Sequence, residues 1–320
     1  MAEKKDSGLP PRRRSPIELP SSPLWGYGLL ALIALFVALG ILLIFGSSSQ
    51  ELNLPGGCVG LVHIDGEIMA QDTPASLLSS GSAGSEEIAN EIYDADNRGD
   101  VKAILLQINS PGGSVVGSNE IYRAVKNAKK PVVAYFREIA ASGGYEAGVG
   151  ADYIISEPDA LTGSIGAKMT LSQLSGLFEK VGYNETTIKS GELKDIGNPA
   201  RDITDKEKEV LQSIVDEAYS EFESTVIENR AGKLDMGLFY QNVADARVLT
   251  GRQAYRIGLV DEVGSKKDAI AKASDMGGSN TPLEVCEMGQ KSTGLFGNLF
   301  SGAFDIVPFM KKESASLSYK

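Results

Sequence analysis

The stretch "REIAASGGYEAG" (137–148) contains the residue best placed for covalent chemistry, Ser142. It follows the apolar run "PVVAYF" and is surrounded by alanines and glycines. A turn of small residues between a strand and a helix is a common way for hydrolases to present a nucleophilic serine. The sequence therefore predicts that Ser142 is a nucleophile, which requires a base to take its proton.

His63 is the single histidine of the chain, so a serine–histidine–aspartate triad depends on this residue alone. It lies in "GLVHIDG", where it alternates with Val62 and Ile64 in an expected strand. A lone histidine in such a strand is more often a structural residue than a base. The histidine triads are therefore not expected here.

A lysine can replace histidine as the base if a dry pocket keeps its amine neutral. Most lysines after the first 23 residues lie in charged helical faces such as "TDKEKE" and "GSKKDA". Lys194 differs, because in "IKSGELKDIGNP" it stands between Gly191 and Gly197, in a turn that can bring a side chain inward. Spacing alone makes Lys194 a candidate base and nothing more.

The motif "NSPGG" (109–113) places two glycines directly after an expected strand. Their backbone N–H groups can point into a site and bind the oxyanion of a tetrahedral intermediate. The N–H of Gly143, directly after Ser142, is the natural second donor. The alternative is a tight turn that only needs the conformational freedom of glycine.

Strand and helix patterns alternate along the chain, which is typical of a largely parallel α/β sheet with right-handed crossovers. The apolar runs are rich in branched residues, as expected for strands that are covered on both faces. The main predicted strands are 58–68, 101–109, 131–136, 151–158 and 183–189. Helices are predicted between them and, after "LTGSIGAK", at 171–181 and 204–232.

Residues 24–45 form an uncharged apolar run, long enough to cross about 30 Å of hydrocarbon. Basic residues precede it, which by the positive-inside rule keeps the N-terminus in the cytoplasm and places the rest outside. A cleaved secretory signal is the alternative, although its apolar core is usually shorter. The predicted organisation is a basic disordered segment (1–23), a transmembrane anchor (24–46), a spacer (47–56), a folded domain (57–285) and a flexible tail (286–320).

The formal net charge is −11, and the chain after residue 23 is more acidic still, with 26 basic and 39 acidic residues. This charge argues against binding to nucleic acid or to anionic lipid. Cys58 and Cys286 are the only cysteines. They either pair, in an oxidising compartment, or remain structural thiols. No cysteine or histidine pair has metal-ligand spacing, and neither a metal nor another cofactor is expected.

Taken in order behind an N-terminal anchor, "NSPGG", "ASGGYEAG", "LTGSIG" and "IKSGELKDIG" resemble the signal peptide peptidase A family over about residues 57–275. These are membrane-anchored serine peptidases with the Clp protease/crotonase fold, which is therefore the α/β fold class expected here. The resemblance implies that Ser142 is the nucleophile and that Lys194, in the "SGxxKD" motif, is the base. It also implies that Ser164 orients the lysine and that Gly113 and Gly143 bind the oxyanion, with Gly112 as the alternative to Gly113.

The same resemblance implies the substrates, which would be cleaved signal peptides and similar apolar peptides at the outer face of the cell membrane. Short family members suggest a homo-oligomer, whose site is either complete in one chain or shared in a ring. Two other functions stay open at this point. They are an acyl-CoA enzyme of the crotonase type and a non-catalytic membrane scaffold.

Overall fold

The computed structural model describes residues 28, 30–37, 56–71 and 82–289. Residues 30–37 are helical and belong to a different compact unit from residues 56–289. Within the described ranges, every helix is too short or too polar to cross a lipid bilayer. The predicted basic segment, most of the predicted anchor and spacer, and most of the predicted tail lie outside the described residues.

The main unit alternates strands and helices, as the sequence pattern predicts. Its elements in chain order are β1 (Cys58–Asp65), β2 (Glu67–Met69), β3 (Ser82–Gly84), α1 (Ser85–Asn97), β4 (Val101–Ser110), α2 (Val115–Asn127), β5 (Val132–Ala141), α3 (Gly143–Val149), β6 (Tyr153–Ser156), β7 (Leu161–Gly163), α4 (Ser175–Val181), α5 (Asp205–Asn229), α6 (Met236–Asn242), β8 (Val248–Thr250), α7 (Gly251–Ile257), β9 (Glu262–Val263), α8 (Lys266–Met276) and β10 (Glu284–Glu287).

The central sheet has the strand order β10-β1-β4-β5-β6-β9, and every pair along this path is parallel. Side chains of β4 alternate between two cores. Leu106 and Ile108 pack with helices α1, α2 and α3 on one face, whereas Ala103 and Leu105 pack with α8 on the other. The prediction of a parallel α/β sheet covered on both faces is therefore confirmed.

Strand β5 changes its partner partway along its length. Val133–Phe136 pair with β6, whereas Ile139–Ala141 pair with β7. Strand β7 in turn pairs antiparallel with β8, the one antiparallel pair among the described strands. The end of β5 is therefore surrounded by β4 and β7, and the turns after these three strands meet at one place.

The predicted strand at 183–189 is wrong. These residues have no regular structure and are exposed throughout, with Ile188 97% exposed. A strand needs a neighbour that pairs with its backbone and an apolar face that it can bury. Residues 183–189 have neither, so their β-branched composition does not produce a strand.

Cys58 and Cys286 form a disulfide, with their Cα atoms 5.9 Å apart. Strands β1 and β10, which carry the two cysteines, are neighbours at one edge of the sheet. The pairing settles the alternative that the sequence leaves open. It joins two residues that are 228 positions apart and so closes a loop around nearly the whole main unit.

Candidate active site

Ser142 lies at the turn between β5 and α3, where the sequence predicts a nucleophile. Its backbone has φ 55° and ψ −127°, a conformation that L-residues rarely adopt. Its carbonyl accepts hydrogen bonds from the N–H groups of Tyr145 and Glu146, at 2.9 and 3.0 Å. The Ser142 hydroxyl is buried and bonds to none of the described residues. Residues with a strained backbone are found mostly at functional sites, so the conformation of Ser142 supports its predicted role as a nucleophile.

Gly143 and Gly113 lie side by side next to this serine. A Cβ atom at Gly143 would be 3.4 Å from the Gly113 nitrogen and 2.1 Å from Ser118 Oγ. A Cβ atom at Gly113 would be 2.0 Å from the carbonyl oxygen of Ile68. Gly113 thus requires glycine, because its backbone packs directly on the backbone of Ile68, whereas a side chain at Gly143 would have to displace the Ser118 side chain.

Strand β2 fixes the turn that carries Gly113. The N–H of Ile68 donates to the Gly112 carbonyl at 3.0 Å, and the Ile68 carbonyl accepts from Ser114 N–H at 2.8 Å. The N–H of Gly112 is also engaged, since it donates to Ser110 Oγ at 3.1 Å. The NSPGG turn is therefore held by hydrogen bonds on both sides of Gly113.

Ser164 lies in the neighbouring turn, at the end of β7. Ser142 N–H donates to the Gly163 carbonyl at 2.8 Å, so the two serine turns are directly joined. Ser164 is buried and has a φ of 52°, and its N–H donates to the Arg247 carbonyl at 2.9 Å. The structure thus brings together four of the five predicted site residues, namely Ser142, Ser164, Gly113 and Gly143.

Lys194 is the fifth, and the structure does not bring it to Ser142. It lies in a turn at 191–197, and its side chain is exposed in the single chain. The surrounding segment also exposes large apolar side chains. These are Leu174, Leu177, Val181, Tyr183 and Ile188.

An ion-pair network holds the turn that carries Lys194. Arg201 Nη2 lies 2.9 Å from Asp195 Oδ1 and also bonds to Glu207, the third residue of α5. Lys189 Nζ reaches Asp195 at 2.5 Å. Arg201 and then Lys189 lower the pKa of Asp195, and Arg201 lowers the pKa of Glu207 to about 2. The Lys194 turn is therefore anchored to the start of α5.

His63 has a structural environment, as the sequence predicts. Its Nε2 atom lies 2.9 Å from Glu287 Oε2, and its Nδ1 atom lies 3.1 Å from Gln107 Nε2. These contacts link β1 to β10 and β4. Both ring nitrogens are therefore engaged by neighbouring strands.

The sequence patterns do not identify three polar residues that the structure places in the region of Ser142. The side chains of Asn109, Ser118 and Glu146 each have buried oxygen atoms without a close hydrogen-bond partner in the described part of the chain. For Glu146 a signal existed, since it is the one charged residue in the small, apolar stretch "GGYEAGV" of α3. Burial and, next, the Glu221 carboxylate raise the pKa of Glu146 to about 8, against the opposing effects of Asn119 and Arg123.

The fold and the serine turn together define a serine peptidase with a Clp protease-like α/β domain. The model of peptidase family S49 matches residues 124–278, and the model of the Clp protease family matches residues 79–154. A putative protease of Methanocaldococcus jannaschii is 36% identical over 277 residues, covering 84% of this chain and 88% of that protein. The chain belongs to peptidase family S49.

Two further relatives carry more specific names. A putative signal peptide peptidase SppA of Enterococcus faecium is 34% identical, over 63% of this chain and 59% of that protein. Protease 4 of Salmonella typhi is 32% identical, over 69% of this chain and 35% of that protein. The chain thus matches less than two thirds of the length of both. The resemblance to signal peptide peptidase A is confirmed.

Proposed function

We propose that this serine peptidase is a membrane-anchored endopeptidase that uses a Ser142–Lys194 dyad to hydrolyse cleaved signal peptides and similar apolar peptides. The observation that carries the proposal is the position of Ser142 at a strained turn beside Gly113 and Gly143. A nucleophile and two backbone donors at one point are the parts that acyl transfer needs. The names of the relatives support the substrate class.

In the proposed reaction, the neutral Lys194 amine takes the proton of Ser142 Oγ as that atom attacks a peptide carbonyl. The resulting oxyanion accepts hydrogen bonds from the N–H groups of Gly113 and Gly143. When the C–N bond breaks, the lysine ammonium returns the proton to the leaving amine. The same lysine then deprotonates a water molecule that attacks the acyl carbon, and its ammonium returns the proton to Ser142 Oγ as the bond between Oγ and the acyl carbon breaks.

Gly113 is a better oxyanion donor than Gly112. The Gly112 N–H already donates to Ser110 Oγ, whereas the Gly113 nitrogen lies next to Gly143. An oxyanion must accept from both donors at about 2.7–3.1 Å, so the two donors have to be neighbours. This contact favours Gly113 and Gly143 as the pair.

The exposed Lys194 supports a homo-oligomer in which the lysine of one copy serves the serine of the next. A lysine base has to leave water to become neutral, and here the side chain is exposed in the single chain. The exposed apolar residues of the same segment, from Leu174 to Ile188, would be buried when a second copy covers them. Packing of copies would therefore create the dry pocket that the base needs.

Mixing two inactive variants tests the shared site. Ser142→Ala and Lys194→Ala should each abolish cleavage of an apolar peptide. If serine and lysine come from different copies, random mixed oligomers regain about a quarter of the native sites. If one chain supplies both residues, the mixture stays inactive, which would exclude the shared site while leaving the dyad itself standing.

The disulfide supports a location outside the cytoplasm, because disulfides form and persist in oxidising compartments. The proposed topology has a cytoplasmic N-terminus, one membrane span at residues 24–46 and the peptidase domain on the outer side. Single cysteines introduced by Ala2→Cys and Lys320→Cys, in a Cys58→Ser/Cys286→Ser background, test it with a membrane-impermeant thiol reagent. Only the second should react in intact cells.

A serine-directed acylating probe tests the dyad most directly. The probe should label the native chain at Ser142, and the Lys194→Ala variant should react far more slowly because its serine stays protonated. Ser142→Ala should not be labelled. Cleavage of an apolar peptide by either variant at the native rate would contradict the proposed mechanism.

A further inference from the structure

Glu146 is a buried acid one helical turn beyond the proposed nucleophile. Its N–H donates to the Ser142 carbonyl at 3.0 Å, so both residues belong to the first turn of α3. The residue is 0% exposed, and its carboxyl oxygens have no close hydrogen-bond partner among the described residues, although the Asn119 amide acts on them as a donor that lowers the pKa of Glu146. A carboxylate in such a place has no water around it, and burial outweighs the Asn119 contribution, so the neutral acid is favoured.

The surroundings of Glu146 come from three sides. Helix α5 presents Glu221, a second negative charge, while α2 presents Asn119 and Arg123. On the sheet side, α3 packs against apolar residues of β4 and β5, where Ile108 and Phe136 touch Gly148. Glu221 and Arg123 are both exposed, so water weakens their effects on Glu146 without abolishing them, and burial remains the largest cause of the raised pKa of Glu146.

Ionisation of Glu146 would oppose the proposed chemistry at Ser142. The tetrahedral intermediate places a negative charge beside the N–H of Gly143, and the backbone of Glu146 is three residues further along the same helix, a rise of about 4.5 Å. A second negative charge in this dry interior repels the first strongly, since little solvent screens it. The carboxyl group must be neutral for the oxyanion to form easily.

We propose that Glu146 is a positioning residue that supports the reaction of Ser142 only while it is protonated, and that its ionisation sets the alkaline limit of activity. The proposal rests on the proposed role of Ser142. The alkaline side of the pH profile then reports loss of the proton from Glu146.

The test compares kcat/KM of the full chain on a fluorogenic apolar peptide across pH. Native activity should fall above about pH 8 and be about tenfold below its maximum near pH 9, as for loss of a single proton. Glu146→Gln keeps the shape of the side chain without its charge, and its activity should show no alkaline fall. An unchanged alkaline fall in this variant would overturn the proposal. An equal loss at every pH would also overturn it, by assigning Glu146 a structural role alone.

Substitution of Glu221 or Arg123 should shift the alkaline fall in activity in opposite directions, and neither residue belongs to α3. Because Glu221 raises the pKa of Glu146, Glu221→Gln should move the alkaline fall to lower pH. Because Arg123 lowers that pKa, Arg123→Gln should move the fall to higher pH. If Glu146→Gln does not fold, this pair decides, and identical profiles would reject the proposal. Peptide cleavage by Ser142→Ala would instead reject the proposed function. Failure of the proposed function can therefore be told apart from failure of the proposed role of Glu146.

Discussion

The N–H of Ser142 donates a 2.8 Å hydrogen bond to the carbonyl of Gly163, so that the nucleophile turn and the Ser164 turn form one unit. Both serines have positive φ, at 55° and 52°. Each conformation costs free energy and persists only where surrounding contacts enforce it. The bond between the turns is one such contact, and it fixes where the two hydroxyl groups can lie.

Ser164→Ala should lower kcat about 10- to 100-fold, the effect of one lost hydrogen bond to a charged group, if the hydroxyl orients the lysine. Ser164→Gly should lower kcat similarly but be about 1 kcal/mol more stable than Ser164→Ala, because glycine adopts a φ of 52° without strain. Steady-state kinetics and chemical denaturation check the two effects separately. Equal kcat for Ser164→Ala and the native chain would remove Ser164 from the proposed site.

Gly143→Ala should lower kcat about 100-fold, because the new Cβ would lie 2.1 Å from Ser118 Oγ and displace an oxyanion donor. Gly99→Ala, in the exposed turn between α1 and β4, is the control. A Cβ there would meet no described atom within 4 Å, so kcat should stay unchanged and stability should rise by up to about 1 kcal/mol. Native kcat in Gly143→Ala would show that this N–H does not act on the oxyanion.

Arg201→Gln should lower kcat about 10- to 100-fold, because the turn that carries Lys194 loses its more buried link to α5, keeps only the exposed Glu192–Lys206 pair, and the base is misplaced. Lys206→Gln is the control on the same segment. It removes an exposed pair with Glu192, of the kind that contributes little. Kinetics of both variants beside a thermal melt separate misplacement from unfolding. Equal kcat in the two variants would contradict the anchoring role.

The Arg201 network should also make stability depend on pH. The pKa of Glu207 is lowered to about 2 in the folded chain, below its usual value near 4.3. Its contribution to stability is therefore complete above about pH 4.3 and is lost as the pH falls towards about 2. The melting temperature of Arg201→Gln should be well below that of the native chain at neutral pH, and the two melting temperatures should become similar in acid. A difference that is constant from neutral pH to acid would contradict this assignment.

Loss of the Cys58–Cys286 disulfide should lower the free energy of unfolding by about 2–5 kcal/mol, because the bond closes a long loop in the unfolded chain. The Cys58→Ser/Cys286→Ser double variant, melted beside the native chain with and without reductant, measures this. Reductant should lower the melting temperature of the native chain and leave the double variant unaffected. If reductant lowered the melting temperature of both chains, the loss of stability could not be assigned to the disulfide.

The sequence predicts the sheet well because local patterns determine it. The buried strands at 101–109 and 131–136 are observed as β4 and β5, and the predicted helix at 204–232 begins after the Thr204 cap. Adjacent parallel strands end at the same edge of a sheet, which is why turns after β4 and β5 bring Gly113 and Gly143 together. The motifs indicate that the two turns meet, whereas the choice of Gly113 over Gly112 comes from the family resemblance.

Long-range features were harder to predict. The pairing of Cys58 with Cys286 depends on β10 lying beside β1, which no local pattern indicates. The glycines around Lys194 allow its side chain to turn inward, but whether it does depends on how the segment 183–197 packs, and here the side chain is exposed. The burial of Glu146 likewise follows from α2 and α5 closing over α3. The sequence shows which chemical group each residue carries, whereas tertiary packing determines whether that group is buried and what it contacts.

The disulfide between β1 and β10 has a consequence for a peptidase that can meet other copies of itself. Any cut between Cys58 and Cys286 leaves both fragments covalently joined. A nicked molecule would keep its mass in a denaturing gel without reductant and reveal its fragments only after reduction. Self-cleavage would therefore not separate the fragments, and the two ends of the domain would stay covalently linked after the chain between them had been cut.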